Sequence, residues 1–243
     1  MNGSLQVRMD PPGDPIANMK ADCALVQAVR EDSALAILRI YRWNQPALSI
    51  GRRQSVEDLP SVFREAQSVL VRRPTGGGAV LHRLDELTYA FAISRGVLPA
   101  HISIREIVGV LHRSLRRELI ARKDFSVGDL TVVEQDAPGP ATFCFSAPVR
   151  GDLMFQGRKV AGAALRVWRD AILVQGSIQG LTVGQDQLSE AVRKSFMVRK
   201  ERFELSRVSP RPSEDRAYAS SATSALSCQD IRKFPAPSNH INE

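Results

Sequence analysis

The spacing of hydrophobic and polar residues along the chain predicts three helices. Apolar residues recur at i, i+3 and i+4 positions over Ala17–Val29 and again between Ile104 and Leu119, which places them on one face of a helix. A third helix, with mixed charge, is predicted over Gln187–Lys200. The two apolar stripes need a partner surface, so these helices are expected to pack against a sheet.

Strands are predicted between the helices. The clearest is Leu87–Ser94, in which large apolar residues alternate with smaller ones. Gln156-Gly157 has the composition of a tight turn, so the segments on either side of it are predicted to form a hairpin. The other predicted strand segments are Leu35–Arg42, Leu48–Gly51, Ser68–Arg73, Asp152–Phe155, Lys159–Leu165 and Ala171–Ile178. Hairpins interrupted by helices predict an α+β domain built on a largely antiparallel sheet.

The ends of the chain differ from its middle. Prolines and a glycine crowd positions 11–15, so residues 1–16 are predicted to be an irregular leader. Beyond about position 206 the chain is rich in Ser, Pro and Ala without periodicity, so residues 206–243 are predicted to be a poorly ordered tail. One folded domain is therefore expected over residues 17–205.

Composition and charge narrow the classes of protein. The chain has 243 residues, of which 43% are hydrophobic and 24% charged, an ordinary composition for a globular protein. It has no apolar run of the roughly 20 residues that a membrane-spanning helix needs, and its N-terminus lacks the pattern of a secretory signal. A cytoplasmic protein without a membrane partner is expected.

The net charge of +7 suggests acidic partners. Four arginines, Arg113, Arg116, Arg117 and Arg122, lie on the outer face of the second predicted helix. Such a face is usually only solvated, but it could also bind an acidic protein or a nucleic acid. A non-enzymatic nucleic-acid-binding module is the weaker hypothesis, because no zinc finger, RNA-recognition signature or aromatic-interleaved basic stretch is present.

The strongest chemical signal is the string RRPTGGGAVLH, from Arg72 to His82, followed by ELTYAF. Consecutive glycines expose the backbone, so a ligand can lie directly against peptide groups. The preceding arginines can pair with a phosphate or carboxylate. Because the loop lies between two strands, it fits neither a dinucleotide-binding fingerprint nor a phosphate-binding P-loop.

With its neighbours, this string resembles the biotin/lipoate protein ligase superfamily, in its lipoate-handling branch. WNQP followed by IGRRQ, beginning at Trp43, is similar to the upstream element of that branch, and GRKVAGAA, from Gly157 to Ala164, is similar to its lysine segment. The three elements occur in family order. The resemblance implies a mixed sheet flanked by helices, with an acyl chain bound behind the glycine loop. No pair among the three cysteines has the spacing of metal ligands, so no metal site is expected.

The resemblance also implies transfer of an octanoyl or lipoyl group to a lysine of a lipoyl-carrier domain, such as the glycine cleavage H protein or a 2-oxoacid dehydrogenase E2. The residues that match the family's binding segments are Arg72, Arg73, Thr75, Gly76, Gly77, Gly78, Ala79, His82, Gly162 and Ala163. His82 is equally well explained as a structural histidine.

Two chemistries occur in this branch, and Cys144 favours one of them. It begins the string CFSAP, fifteen positions before Lys159, and this arrangement resembles the cysteine-dependent octanoyltransferases. These enzymes take octanoyl from acyl carrier protein, without a cofactor, and hold it as a thioester. Lys159 could then lower the pKa of the Cys144 thiol if the two side chains meet.

The alternative is a lipoate ligase that uses ATP and Mg²⁺ to form an acyl-adenylate, with Lys159 and Arg73 binding that intermediate. The third glycine of the loop favours it, since cysteine transferases often have GGRAV here. The short segment after the last predicted helix favours a transferase, because ligases of this branch often carry an accessory domain. The sequence therefore favours a transferase with catalytic Cys144 and Lys159, and the acyl donor stays open.

Overall fold

The computed structural model describes residues 3–61, 69–136, 144–145 and 147–196. Within these ranges the strands form one sheet of seven strands and one of three. The strands are β1 (Ser4–Met9), β2 (Leu35–Tyr41), β3 (Ala47–Ile50), β4 (Val69–Arg72), β5 (Val80–His82), β6 (Leu87–Ser94), β7 (Leu130–Val132), β8 (Leu153–Phe155), β9 (Arg158–Val167) and β10 (Ala171–Ile178). The helices are α1 (Pro15–Glu31), α2 (Ile107–Ala121), which follows the 3₁₀ turn Ile104–Glu106, and α3 (Gln185–Phe196).

The large sheet has the strand order β1-β2-β6-β10-β9-β8-β7. Its β1–β2 pair is parallel, and the other neighbouring pairs are antiparallel. The hairpin between β8 and β9 turns at Gln156 and Gly157, which have φ values of 48° and 78°. Positive φ at both positions is the geometry of the tight turn expected there. The predicted α+β class with a mixed, largely antiparallel sheet is confirmed.

Helices cover both faces of the large sheet. The apolar stripes of α2 and α3 pack on one face, against Tyr89, Phe91 and Ile93 of β6. Helix α1 packs on the other face, against Ala90 and Ala92. The alternation along β6 therefore separates two buried faces, with large residues under two helices and small ones under α1. Small residues on that second face leave space beside the sheet.

Helix α1 begins where the sequence predicts a change of structure. The Asp14 carboxylate accepts hydrogen bonds from the backbone N–H groups of Ile16 (2.9 Å) and Ala17 (3.1 Å). Pro15 occupies the first helical position, where its missing N–H costs nothing. The α1, β6 and β10 predictions are confirmed, with small differences at the ends of α1.

The small sheet, in the order β4-β3-β5, carries the glycine loop between β4 and β5. Strand β3 pairs in parallel with β4 and antiparallel with β5. A short loop joins β2 to β3, and the two strands belong to different sheets. The chain thus crosses from the large sheet to the small one near Trp43.

The prediction of an irregular leader over residues 1–16 is wrong for Ser4–Met9. Strand β1 pairs along its whole length with β2, and Leu5 and Val7 are buried in the core. The prolines that suggested irregular structure all follow this strand. The predicted tail, residues 206–243, lies outside the described residues, as does the end of the third predicted helix. None of the helices in the described ranges is long and apolar enough to cross a membrane.

Candidate active site

The glycine loop is folded tightly onto its own strands. Gly77 has a φ of 83°, a conformation that disfavours residues with a side chain. A Cβ on Gly51 would lie against the carbonyl oxygen of Gly77, so the backbone at the end of β3 touches the loop directly. The N–H of Arg52 donates to the carbonyl of Thr75 (2.8 Å). These contacts fix the loop's shape without any ligand.

The two arginines before the loop turn onto the backbone. Arg73 is buried, and its guanidinium donates to the carbonyls of Gly76 (2.6 Å from Nη2), Gly78 (2.7 Å) and Ser49 (3.1 Å). Its neighbour Arg72 donates to three carbonyls at the end of β3, among them that of Gln54 (2.6 Å). Binding of a substrate phosphate or carboxylate by these arginines stays a prediction; both guanidinium groups already bind the loop's framework.

Cys144 is attached to the same loop. Its backbone N–H donates to the carbonyl of Ala79 (2.9 Å), and its side chain is a half-buried free thiol. A Cβ placed on Gly77 would lie 3.2 Å from the Cys144 sulfur and 3.0 Å from Nη2 of Arg73. The thiol and the guanidinium therefore both lie against the same side of Gly77.

Lys159 approaches Cys144 from the other side and contacts its backbone. The Lys159 ammonium donates to the carbonyl oxygen of Cys144 and forms an ion pair with Asp152, 2.6 Å from Oδ2. It also lies 5.2 Å from the centre of the Phe145 ring. Burial raises the pKa of the Asp152 carboxyl, and the charge of Lys159 opposes that rise. The predicted meeting of Lys159 with Cys144 therefore occurs, at the main chain of the cysteine.

Gly162 makes room for this ion pair. A Cβ at this position would lie 2.6 Å from Cε and 2.9 Å from Nζ of Lys159, and 3.2 Å from Oδ1 of Asp152. Such distances are inside van der Waals contact, so a side chain here would displace the ammonium. The glycine of the lysine segment is thus explained by packing against Lys159.

A buried chain of hydrogen bonds runs from Arg73 to a carboxylate. Nη1 of Arg73 donates to the Ser49 hydroxyl (3.2 Å), which lies 2.7 Å from Nε2 of His82. Nδ1 of His82 lies 2.7 Å from Oε1 of Glu86, and the indole of Trp43 stacks on the imidazole at 4.0 Å. In the neutral imidazole an Nδ1–H donated to Glu86 leaves Nε2 to accept the Ser49 proton. Burial alone would raise the pKa of Glu86, but His82 beside it lowers that pKa below its ordinary value.

A largely apolar cavity opens between the two sheets beside these groups. Arg73, Ser49, His82 and Cys144 lie in its wall. The other lining residues are Met19, Tyr41, Trp43, Val80, Thr88, Phe145, Gly162, Ala163, Ala164, Gln175, Gly176 and Ser177. The strands β9 and β10 contribute mostly small residues, and the apolar lining suits an apolar ligand.

The structure thus divides the predicted site residues into two groups. Arg73, His82, Cys144, Gly162 and Ala163 line the cavity. The others support it from outside the lining: Arg72, Thr75, Gly76, Gly77, Gly78, Ala79 and Lys159. Thr75, for example, is buried and donates its hydroxyl to the Gln175 amide oxygen (2.8 Å).

Sequence reasoning missed Ser49, Asp152 and Gln175. Each is a polar residue inside a predicted strand segment, where the pattern shows only that one residue departs from the apolar run. A polar residue in an apolar strand is visible in the sequence, but the sequence does not show which group it will contact. Among the described residues, no group of three or more His, Cys, Asp or Glu is arranged to hold a metal ion.

Residues 14–208 match the family model described as the lipoyl protein ligase A/B catalytic domain. The chain belongs to this family. Family members named Octanoyltransferase LipM are similar in sequence. The one from Oceanobacillus iheyensis is 36% identical over 170 residues, which cover 69% of this chain and 60% of that protein. The one from Lysinibacillus sphaericus is 33% identical over 195 residues, covering 78% and 70%.

The chain thus spans about 60% of the length of the Oceanobacillus relative and of the one from Geobacillus kaustophilus. Solved structures of the family share its fold. Lipoate-protein ligase A bound with ATP superimposes with a TM-score of 0.62 at 19% identity, over 90% of this chain and 93% of that one. The bipartite lipoate protein ligase from Thermoplasma acidophilum gives 0.57 at 18% identity, over 90% and 91%. The predicted fold type of the biotin/lipoate ligase catalytic domain is confirmed.

Proposed function

We propose that this chain is an octanoyltransferase that moves an octanoyl group from acyl carrier protein to a lysine of a lipoyl-carrier domain. The observation that carries the proposal is the free Cys144 thiol in the wall of an apolar cavity beside the glycine loop. The names of the similar LipM proteins support it. The family match to residues 14–208 supports one catalytic domain, which the sequence predicts over residues 17–205.

In the first half-reaction, the Cys144 thiolate attacks the carbonyl carbon of the octanoyl thioester. The carbon–sulfur bond to the carrier breaks, and the carrier leaves as its thiolate. One thioester replaces another, so this exchange costs little free energy. The octanoyl chain occupies the cavity between the sheets, where small residues of β9 and β10 give it room.

In the second half-reaction, the acceptor lysine attacks the enzyme thioester as a free amine. An amide forms, the amine nitrogen loses a proton to solvent, and Cys144 leaves as the thiolate that starts the next cycle. Lys159 fixes the main chain of the nucleophile through its bond to the Cys144 carbonyl. The acceptors are lipoyl-carrier domains, of the glycine cleavage H protein or 2-oxoacid dehydrogenase E2 type.

An ATP-dependent lipoate ligase is the second candidate, because the solved relatives include a ligase bound with ATP. Such an enzyme would hold an adenylate with Lys159. The ammonium's ion pair with Asp152 (2.6 Å) weighs against this, since it would have to be exchanged for a phosphate.

An assay with an apo-lipoyl domain separates the two functions. Octanoyl-acyl carrier protein without ATP should octanoylate the domain, and Cys144→Ser should reduce the rate by a factor of at least about 10³, the scale on which loss of a nucleophile acts. Free lipoate with ATP and Mg²⁺ is the matched arm. If the lipoyl domain were modified only with free lipoate, ATP and Mg²⁺, and as fast by Cys144→Ser as by wild type, the transferase function would be contradicted.

A further inference from the structure

The Arg73 guanidinium, a cation, lies beside the Cys144 sulfur. The Arg73 guanidinium and the sulfur both approach the empty side of Gly77, at 3.0 and 3.2 Å from the position a Cβ would take. Both groups line the cavity. Arginine keeps its charge even when it is buried, so a positive group adjoins the nucleophile at any physiological pH.

The Lys159 ammonium is committed elsewhere. It is nearly inaccessible to solvent, with 3% of its side chain exposed, and it is neutralised by Asp152 at 2.6 Å. Its bond to Cys144 goes to the carbonyl oxygen. An ammonium paired with a buried carboxylate exerts only a weak net field on a neighbouring sulfur.

Arg73 is held in place by more than the loop. Its five N–H groups have partners: the carbonyls of Gly76, Gly78 and Ser49 and the Ser49 hydroxyl. The hydroxyl is bonded in turn to His82 and, through it, to Glu86. None of the loop partners carries a charge, and within the described residues no carboxylate forms an ion pair with the guanidinium.

We propose that Arg73 is a catalytic residue whose guanidinium stabilises the Cys144 thiolate, and that Ser49, His82 and Glu86 are positioning residues that hold it there. This role belongs to the same site as the proposed transferase function. It rests on that function only in assuming that the thiolate attacks an acyl donor. Deprotonation releases the thiol proton to solvent and leaves the sulfur paired with the guanidinium. Burial lowers the pKa of Arg73, and the charge of Cys144 opposes that fall.

The test is the pH profile of Cys144 alkylation by iodoacetamide, which follows the thiolate and needs no acyl donor. An opposite charge at this range lowers a pKa by roughly one to three units. Arg73→Gln should therefore raise the midpoint by at least about one unit and slow alkylation at pH 7 about tenfold or more. Arg73→Lys should fall between wild type and Arg73→Gln, because a single ammonium cannot keep the guanidinium's position.

Controls keep the result interpretable. Cys144→Ala gives the background labelling at all other positions, and the rate plateau at high pH must match wild type for any variant that folds. Lys159→Met should shift the midpoint less than Arg73→Gln. Should neither Arg73 variant fold, Ser49→Ala must raise the midpoint by more than Lys159→Met does.

An unchanged midpoint in folded Arg73 variants, or a larger shift in Lys159→Met, would overturn the proposal. Failure of octanoyl transfer with a normal alkylation profile would instead count against the transferase function and leave the role of Arg73 standing.

Discussion

At the scale of residues, the site depends on glycines that differ in what surrounds them. Gly77 has a positive φ and lies beneath both Arg73 and the Cys144 sulfur. Gly76, one position earlier, has open space where a Cβ would project and no unusual φ. The sequence GGG shows three equal residues, so only the fold reveals that their tolerance to substitution differs.

Gly77→Ala should therefore impair catalysis, whereas Gly76→Ala should not. The left-handed backbone costs an alanine roughly 1–2 kcal/mol, and the new methyl group presses on the guanidinium and the thiol. Misplacement of reacting groups by fractions of an ångström lowers the octanoyl-transfer rate, here by roughly tenfold or more. Steady-state rates with octanoyl-acyl carrier protein measure this. Equal rates in the two variants would show that the loop does not position the nucleophile.

At the scale of elements, the sequence predicted the parts with strong periodicity and missed those without it. The alternation in β6 and the stripe on α2 reflect burial, so they could be read directly from the chain. Strand β1 has only two buried residues, Leu5 and Val7, and its parallel pairing with β2 depends on a distant partner. The site shows the same division: the glycine loop and Cys144 were found by their motifs, but Asp152 and Ser49 acquire their roles only when sheets meet.

Helix α2 also carries a histidine whose role the sequence did not indicate. His112 is buried, with Nδ1 2.6 Å from the carbonyl of Gly151 and Nε2 3.0 Å from the Tyr89 hydroxyl. Burial lowers the pKa of His112 to about 4. The unfolded chain binds this proton more readily than the folded one below pH 6.5. The contribution of neutral His112 to the free energy of unfolding is therefore complete above pH 6.5 and is lost as the pH falls toward 4.

Urea unfolding at pH 7.5 and pH 5 tests this directly. Between these values wild type should lose roughly 2 kcal/mol more of its free energy of unfolding than His112→Gln, since the variant has no group to protonate there. His101→Gln, at an exposed position, should behave as wild type does. If the free energy of unfolding of His112→Gln fell as much as that of wild type, protonation of His112 would not be what destabilises the protein.

At the scale of the whole molecule, the basic surface is partly used within the chain itself. Arg116 donates to the carbonyls of Leu130 (2.5 Å) and Val127 (2.8 Å), and Arg122 pairs with Asp186 (2.6 Å). The arginines of α2 thus join the helix to neighbouring segments, which the sequence could not show because these partners are distant along the chain. The net charge of +7 still favours an acidic carrier protein as partner.

The central claim is that the acyl group passes through Cys144, and the intact mass of the protein tests it most directly. Incubation with octanoyl-acyl carrier protein, without acceptor, should add one octanoyl group per chain. Hydroxylamine should remove it, as it does thioesters, and Cys144→Ala should stay unmodified. Adding the apo-lipoyl domain should then transfer the group to the domain. An unmodified mass, under conditions in which the complete system still octanoylates the domain, would contradict the account.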